Sequence, residues 1–418
     1  MQLKTGSDRS PLTRLRTQTR NPAVRTFPDG KAQVVVDKLR PVSFGGSGWP
    51  VMMSKPQQTC RLGLHFCAMT VGVGIMISSQ SVAAQPALAV VPHLQLASVS
   101  TQASGFEAYK RYLMQRARSE GVTARTIQAY VPSLGLNWRA IELDRAQRPS
   151  GVVSGRSPPL GPYLRRHITS SLIRRGQNRY SSLWPQLRRI QAIYGVDPAT
   201  LLAIYGKETS FGSVTGNFDL LEALASLAYE GRRRQMFETE FVATLKLLDS
   251  GISRRTLRGS YAGATGLPQF MPSVALRLRV DGDGDGRANI WTSEVDALAS
   301  IANYLRDAGW KPGVPWGSAS HVPTSLNRSL IRSHSDEPQC RTALRRHSRR
   351  LSITQWRELG VRARSSIRNG EEATLLEPEG LAETPYLLTS NYRAILRYNC
   401  SNFYGMSVAL LSDAIARR

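Results

Sequence analysis

Residues 204–212 read IYGKETSFG, with Glu208 as the one carboxylate in the stretch. The segment VDPATLLAIYGKET opens with Asp197 as a helix N-cap and Pro198 at the first helical position. Leu201, Tyr205 and Glu208 then fall at i, i+4 and i+7 on one face, with Lys207 turned about 100° away. That face is apolar, so the carboxylate is expected to point to the interior or to a cleft floor, where desolvation raises its pKa. A carboxyl group tuned in this way serves as a general acid near neutral pH. The same pattern also fits a helix-end charge paired with an arginine.

A second stretch, GSYAGATGLPQFMPS (259–273), packs glycines, aromatics, a glutamine and two prolines into a loop that leads into a helix. Glycines let a ligand lie against the main chain. Tyr261 and Phe270 offer flat faces for sugar rings, and Ser260 and Gln269 can hydrogen-bond hydroxyl and N-acetyl groups; a purely structural glycine-rich turn is the alternative. In DGDGDGRANIWTSEVD, Asp281, Asp283 and Asp285 occupy positions 1, 3 and 5 of an EF-hand-like loop, Gly286 the turn at 6, and Arg287 offers its carbonyl at 7. Such oxygen donors suit a hard cation, calcium or sodium in its place, in a structural role. Position 12 is Thr292, which leaves Glu294 or Asp296 to close the site; a solvated acidic turn is the alternative reading.

Six blocks in one order, AIYGKETSFGS, ALASLAYEGRRRQMF, RGSYAGATGLPQFMPS, DGDGDGRANIW, DALASIANYLRDAGW and RYNCSNFYGMSVALLSDAI, resemble the membrane-bound lytic murein transglycosylase B family. The resemblance covers about Phe106 to Arg418 and implies an α+β, mainly helical fold with a lysozyme-like core and an added α domain. It implies that Glu208 is the single catalytic carboxylate, with no cofactor for the chemistry. The implied reaction is non-hydrolytic cleavage of the β-1,4 bond between N-acetylmuramic acid and N-acetylglucosamine: Glu208 protonates the glycosidic oxygen, then acts as base on the muramoyl 6-hydroxyl as a 1,6-anhydro ring closes. The implied glycan contacts are Ser260, Gln269, Tyr304, Tyr398, Asn399 and Tyr404, with Arg232 and Arg233 reaching acidic stem-peptide or lactyl groups. Without the resemblance, GRRR reads as a solvated helix face. Asp296 is favoured as the closing cation ligand. Tyr261 stands where the family usually has tryptophan and Thr265 where it has methionine. Asp219 and Glu222 lie near enough in sequence to be second acids, so a hydrolytic muramidase stays open beside the lyase, as does a silent peptidoglycan-binding scaffold.

The elements that must hold these residues are mostly helical. Phe106 to Tyr130 reads as two helices broken at Gly121, residues 148–162 as a Pro/Gly/Ser loop, and helical patterns run from Tyr163 to about Gly309. Residues 313–340 are polar and irregular, 341–360 hold a basic helical piece with Trp356, and TPYLLTSNYRAILRYN (384–399) reads as a strand pair around Ser390 and Asn391. A helix closes the chain. The expected organisation is an extension or mis-assigned start (1–51), a signal peptide (52–84), a linker (85–105), an α domain (106–193), a catalytic core (194–317) and a C-terminal segment that completes it (318–418).

The net charge of +25 over 418 residues calls for an anionic partner: nucleic acid, a membrane surface or an acidic wall polymer. Lys55 and Arg61, the apolar run Leu62 to Ile77 and the small residues Val82 to Ala84 follow the order of an export signal. The run is too short and glycine-broken for a stable membrane span. Phe66 precedes Cys67 where a lipid-attachment site takes a small residue, so a lipid anchor is not expected. Export points away from nucleic acid, to the periplasm, glycan strands and complexes of cell-wall enzymes. It leaves Cys340 and Cys400 in an oxidising compartment, either paired or as two free thiols.

Overall fold

The computed structural model describes residues 93–147, 159–333, 337–378 and 383–417, with the side chains of 93–104 left aside. The start-site and signal-peptide readings, and most of the 148–162 loop, lie outside these residues.

Helices dominate. They are α1 (His93–Ser119), α2 (Ala124–Tyr130), α3 (Trp138–Arg145), α4 (Leu160–His167), α5 (Ser170–Ser182), α6 (Trp184–Tyr194), α7 (Pro198–Thr209), α8 (Leu220–Glu230), α9 (Arg234–Asp249), α10 (Pro272–Leu278), α11 (Glu294–Asp307), α12 (Arg341–Leu344), α13 (Ile353–Glu358), α14 (Ser390–Tyr398) and α15 (Asn402–Ala416). Helix α1 begins inside the stretch read as a linker and breaks, as expected, near Gly121. No helix among the described residues is long and apolar enough to cross a membrane.

The strands are short: β1 (Phe218–Asp219), β2 (Arg258–Gly259), β3 (Gly317–His321), β4 (Leu351–Ser352), β5 (Arg362–Ala363), β6 (Glu372–Leu376) and β7 (Tyr386–Thr389). β1 pairs with β2, and the other five form an antiparallel sheet in the order β4-β6-β7-β3-β5. Strand β3 lies in the segment read as irregular. The expected strand pair at 384–399 is a single strand, β7, running straight into α14. The polar Thr389-Ser390-Asn391 run is a helix start instead of a hairpin turn: the Thr389 hydroxyl accepts from Asn391 N, and Tyr392, Ile395 and Leu396 bury one helical face.

Two large apolar cores carry the site. One gathers α7, α11, α14 and α15 around Leu202, Tyr205, Ile301, Ile395 and Met406; the other gathers α1, α2, α8, α9 and α10 around Leu113, Ile127, Leu224, Phe237 and Phe241. Tyr304 and Tyr398 pack against both, which marks the seam between the cores. A smaller core around Trp356 and Leu375 lies under the sheet.

Candidate active site

Helix α7 is capped as its sequence requires: Asp197 Oδ1 accepts from Ala199 N at 2.8 Å and Thr200 N at 3.2 Å. The amphipathic reading needs correction, because α7 is buried on nearly every side, the condition of a helix that is apolar all round. Lys207 and Glu208, in its last turn, are the two residues that keep partial exposure. The helix then stops in three successive left-handed residues, Ser210, Phe211 and Gly212. Phe211 folds back over Gly206, where a Cβ would stand 2.7 Å from its Cζ.

Although Glu208 is reached by solvent, protein surrounds it closely enough that burial pushes its pKa up to about 7. Tyr404 and Lys207 act in the opposite sense, favouring the charged form. The Tyr404 hydroxyl interacts with this carboxylate and has no well-aligned hydrogen bond to any of the described residues. Glu208 is felt in turn by Tyr163, Tyr304 and Tyr398, all held neutral mainly by burial. Asp219 and Glu222 are elsewhere engaged, both paired with Arg254 at 3.0 and 3.2 Å.

Three tyrosines form an aromatic wall beside Glu208. Tyr304 and Tyr398 meet at 4.8 Å between centroids, and Tyr398 and Tyr404 stack at 6.3 Å. The Tyr304 hydroxyl donates to Arg397 O at 2.6 Å and that of Tyr398 to Pro268 O at 2.5 Å, which fixes both rings by their tips. Asn399, next in the chain, has a buried Oδ1 with no partner among the described residues.

The loop 259–273 lies against this wall. Gly259 brings its backbone so near that an added Cβ would stand 2.1 Å from Ala264 O. Ser260 Oγ accepts from Ala264 N at 3.0 Å and so shapes the turn. Gln269 takes a positive φ and directs Nε2 to Thr215 O and Gly266 O, which leaves its carbonyl oxygen as the group it can offer a ligand. Phe270 is a correction: at 2% exposure it packs behind Tyr304 and Tyr398 and presents no face for a sugar ring. Tyr261 stays half-buried at the rim, near Arg232, Arg233 and Asp144. Both arginines are tied to the buried Asp144 carboxylate instead of standing free.

A second aromatic group beside the end of α7 was not foreseen. Tyr163 of α4 stacks on His167 at 3.9 Å and meets Phe403 at 5.0 Å. Lys207 Nζ lies 3.4 Å from the Tyr163 hydroxyl and over its ring. Burial lowers the Lys207 pKa to about 8.

In the acidic loop, carboxylate oxygens of Asp281, Asp283 and Asp296 lie within 4.8 Å of one another. Asp296 is buried and accepts from Gly282 N at 2.8 Å and Asn289 N at 2.7 Å. Asp285 is not in the cluster; its Oδ1 accepts from Arg287 N at 2.7 Å. Glu294 is committed elsewhere, to Arg179 and to the Tyr205 hydroxyl, each at 2.8 Å. The Cys340–Cys400 disulfide is formed, with Cα atoms 4.7 Å apart.

A carboxyl group of raised pKa in a tyrosine-walled cleft, on a mainly helical scaffold with a small sheet, defines a sugar-cleaving site of the lysozyme type. Residues 105–413 match the transglycosylase SLT domain, and the chain belongs to that family. It is 31% identical over 276 residues to membrane-bound lytic murein transglycosylase B of Escherichia coli (strain K12), covering 65% of this chain and 72% of that one. Among solved structures it is similar to SltB3 of Pseudomonas aeruginosa in complex with NAG-anhNAM-pentapeptide (33% identity, TM-score 0.66, 75% of this chain and 80% of the other). It is also similar to the Escherichia coli lytic transglycosylase Slt35 in complex with calcium (27% identity, TM-score 0.60, 74% and 92%).

Proposed function

We propose that this lytic transglycosylase cleaves the β-1,4 bond between N-acetylmuramic acid and N-acetylglucosamine in peptidoglycan without water, using Glu208 as acid and then as base. The observation that carries this reading is a lone carboxyl group with a pKa of about 7 in the tyrosine cleft. Ordinary glycosidases work with two carboxyl groups, and the nearby candidates, Asp219 and Glu222, are tied to Arg254. Neutral Glu208 gives its proton to the glycosidic oxygen as the C1–O4 bond breaks. The carboxylate left behind takes the proton of the muramoyl 6-hydroxyl as O6 bonds C1, which returns Glu208 to its starting state. Lys207 and Tyr404 favour the carboxylate during that interval.

Tyr304, Tyr398, Asn399 and Tyr404 contact the glycan on one side, Ser260 and Gln269 on the loop side. The orphan Asn399 Oδ1 supports this, since a buried acceptor without a donor suits a ligand hydroxyl or amide. Arg232 and Arg233 share one Asp144, and the surplus positive charge favours acidic stem-peptide or lactyl groups. Asp281, Asp283 and Asp296 hold calcium, or sodium in its place, in an EF-hand-like loop to which the Arg287 carbonyl contributes, with a structural role. Residues 52–84 direct export to the periplasm without a lipid anchor, 106–193 form the α domain, 194–317 the catalytic core, and 318–418 complete it; cell-wall enzyme complexes are the partners.

Digestion of purified sacculi with the chain and with Glu208→Gln, followed by mass analysis of the released muropeptides, tests the reaction. Products lighter by one water than hydrolytic ones, absent with Glu208→Gln, are expected. Hydrated products would move the reading to a muramidase, and binding without products to a scaffold.

A further inference from the structure

The turn from Tyr398 to Tyr404 joins α14 to α15 and forms one wall of the cleft. Two of its polar atoms, Asn399 Oδ1 and the Tyr404 hydroxyl, are buried without a hydrogen-bond partner among the described residues. No described side chain therefore holds the Asn399 carbonyl oxygen. The turn is held from behind. Cys400 is bonded to Cys340, 60 residues earlier, at the start of α12. From the same segment, Ala343 O accepts from Asn402 Nδ2 at 2.9 Å, and His347 Nε2 donates to Asn402 Oδ1 at 2.9 Å. The other nitrogen of His347 meets Thr374 Oγ1 at 3.0 Å on β6, so these ties end in the five-stranded sheet.

We propose that Cys340 and Cys400 are positioning residues for glycan binding: their disulfide holds the turn after α14 against residues 340–347 so that Asn399 faces the sugar, while Tyr404 is held separately by the packing of α15. This rests on the glycan-binding reading of the cleft. A wall ordered before the ligand arrives removes an ordering cost from binding, so cutting the bond weakens affinity and leaves the proton transfers at Glu208 largely intact.

The oxidised full chain is first assayed on sacculi for anhydro products; their absence would remove the underlying reading and say nothing of the disulfide. The same assay is then run on Cys340→Ala/Cys400→Ala and on wild type reduced with a phosphine, which is oxidised by two electrons as the disulfide becomes two thiols, counted by alkylation and mass. KM is expected to rise about three- to tenfold with kcat within about twofold. Binding by the Glu208→Gln chain should weaken by the same factor, and reoxidation of the wild type should restore it. Unchanged KM with both thiols free overturns the proposal. So does a lower melting temperature accompanied by a fall in kcat alone, which would confine the bond to fold stability. If the double variant does not fold, the reduced and reoxidised wild type decides.

Discussion

The hydroxyl of Thr209, the residue after Glu208, donates to the carbonyl of Leu267 at 3.1 Å, tying the end of α7 to the glycine-rich loop. The same oxygen accepts from Gly212 N at 3.0 Å, which holds the left-handed turn that follows. Thr209 is fully buried. Thr209→Val keeps the shape but orphans a buried acceptor and a part-buried donor, at a cost of about 1–3 kcal/mol each. Denaturant melts should show lower stability, and turnover of sacculi should fall more than binding does. Unchanged turnover would separate this bond from the placement of Glu208.

The pH profile follows from Glu208. The first step needs its protonated form, and burial sets the pKa at about 7. For the free enzyme kcat/KM is expected to be flat just below that value and to fall about tenfold per pH unit above it. Tyr163, Tyr304, Tyr398 and Tyr404, which also face the group, have pKa values raised further and stay neutral across the range. Lys207 loses its charge near pH 8, past the break. A profile that rises through pH 7 would reverse the assignment of Glu208 as the initial acid.

The same shift makes a stability prediction of opposite sign to that of a salt-bridged carboxylate. The folded chain binds this proton more tightly than the unfolded one, so stability falls as pH rises from the unfolded value, 4.5, to about 7, and the penalty is constant above. Its size is roughly 3 kcal/mol. Glu208→Gln removes it, so thermal melts of the variant and the wild type should diverge at pH 8, with the variant more stable, and converge near pH 4.

Calcium is expected to stabilise the fold through the Asp281, Asp283 and Asp296 cluster by about 2.7 kcal/mol at a hundred times its Kd, and so to raise the melting temperature. A chelator should reverse the shift and Asp296→Asn should abolish it. Calcium titration followed by melting distinguishes this from a solvated acidic turn, for which neither calcium nor chelator changes the midpoint.

The place of Glu208 in the last turn of α7 was legible because Asp197 and Pro198 fix where the helix starts, although the helix proved buried on nearly every side and not on one face. The clustering of Asp281, Asp283 and Asp296 was within reach of the sequence because all three lie in one short run, and Glu294 is engaged by Arg179 and Tyr205 instead. What could not be read depends on distant partners. Tyr163 reaches Lys207 from another helix, and nothing near either residue signals the other. Arg232 and Arg233 looked free because Asp144, far upstream, gives no local cue. Phe270 and Tyr398 are similar ring types, and only packing makes one a support and the other a wall. At 384–399 a serine and an asparagine signalled a turn, when Thr389 ahead of them was capping a helix.

Helix α15 packs along α7 and supplies Tyr404 to the Glu208 pocket, although the two helices are almost 200 residues apart in the chain. The pocket therefore has no local nucleus: a growing polypeptide that has emerged through α7, or even through the acidic loop, still lacks the wall facing the carboxyl group. A chain cut before Asn402 would lose Tyr404 together with Met406, Val408, Leu411 and Ile415, so the wall facing the carboxyl group and the core behind α7 would go in one step.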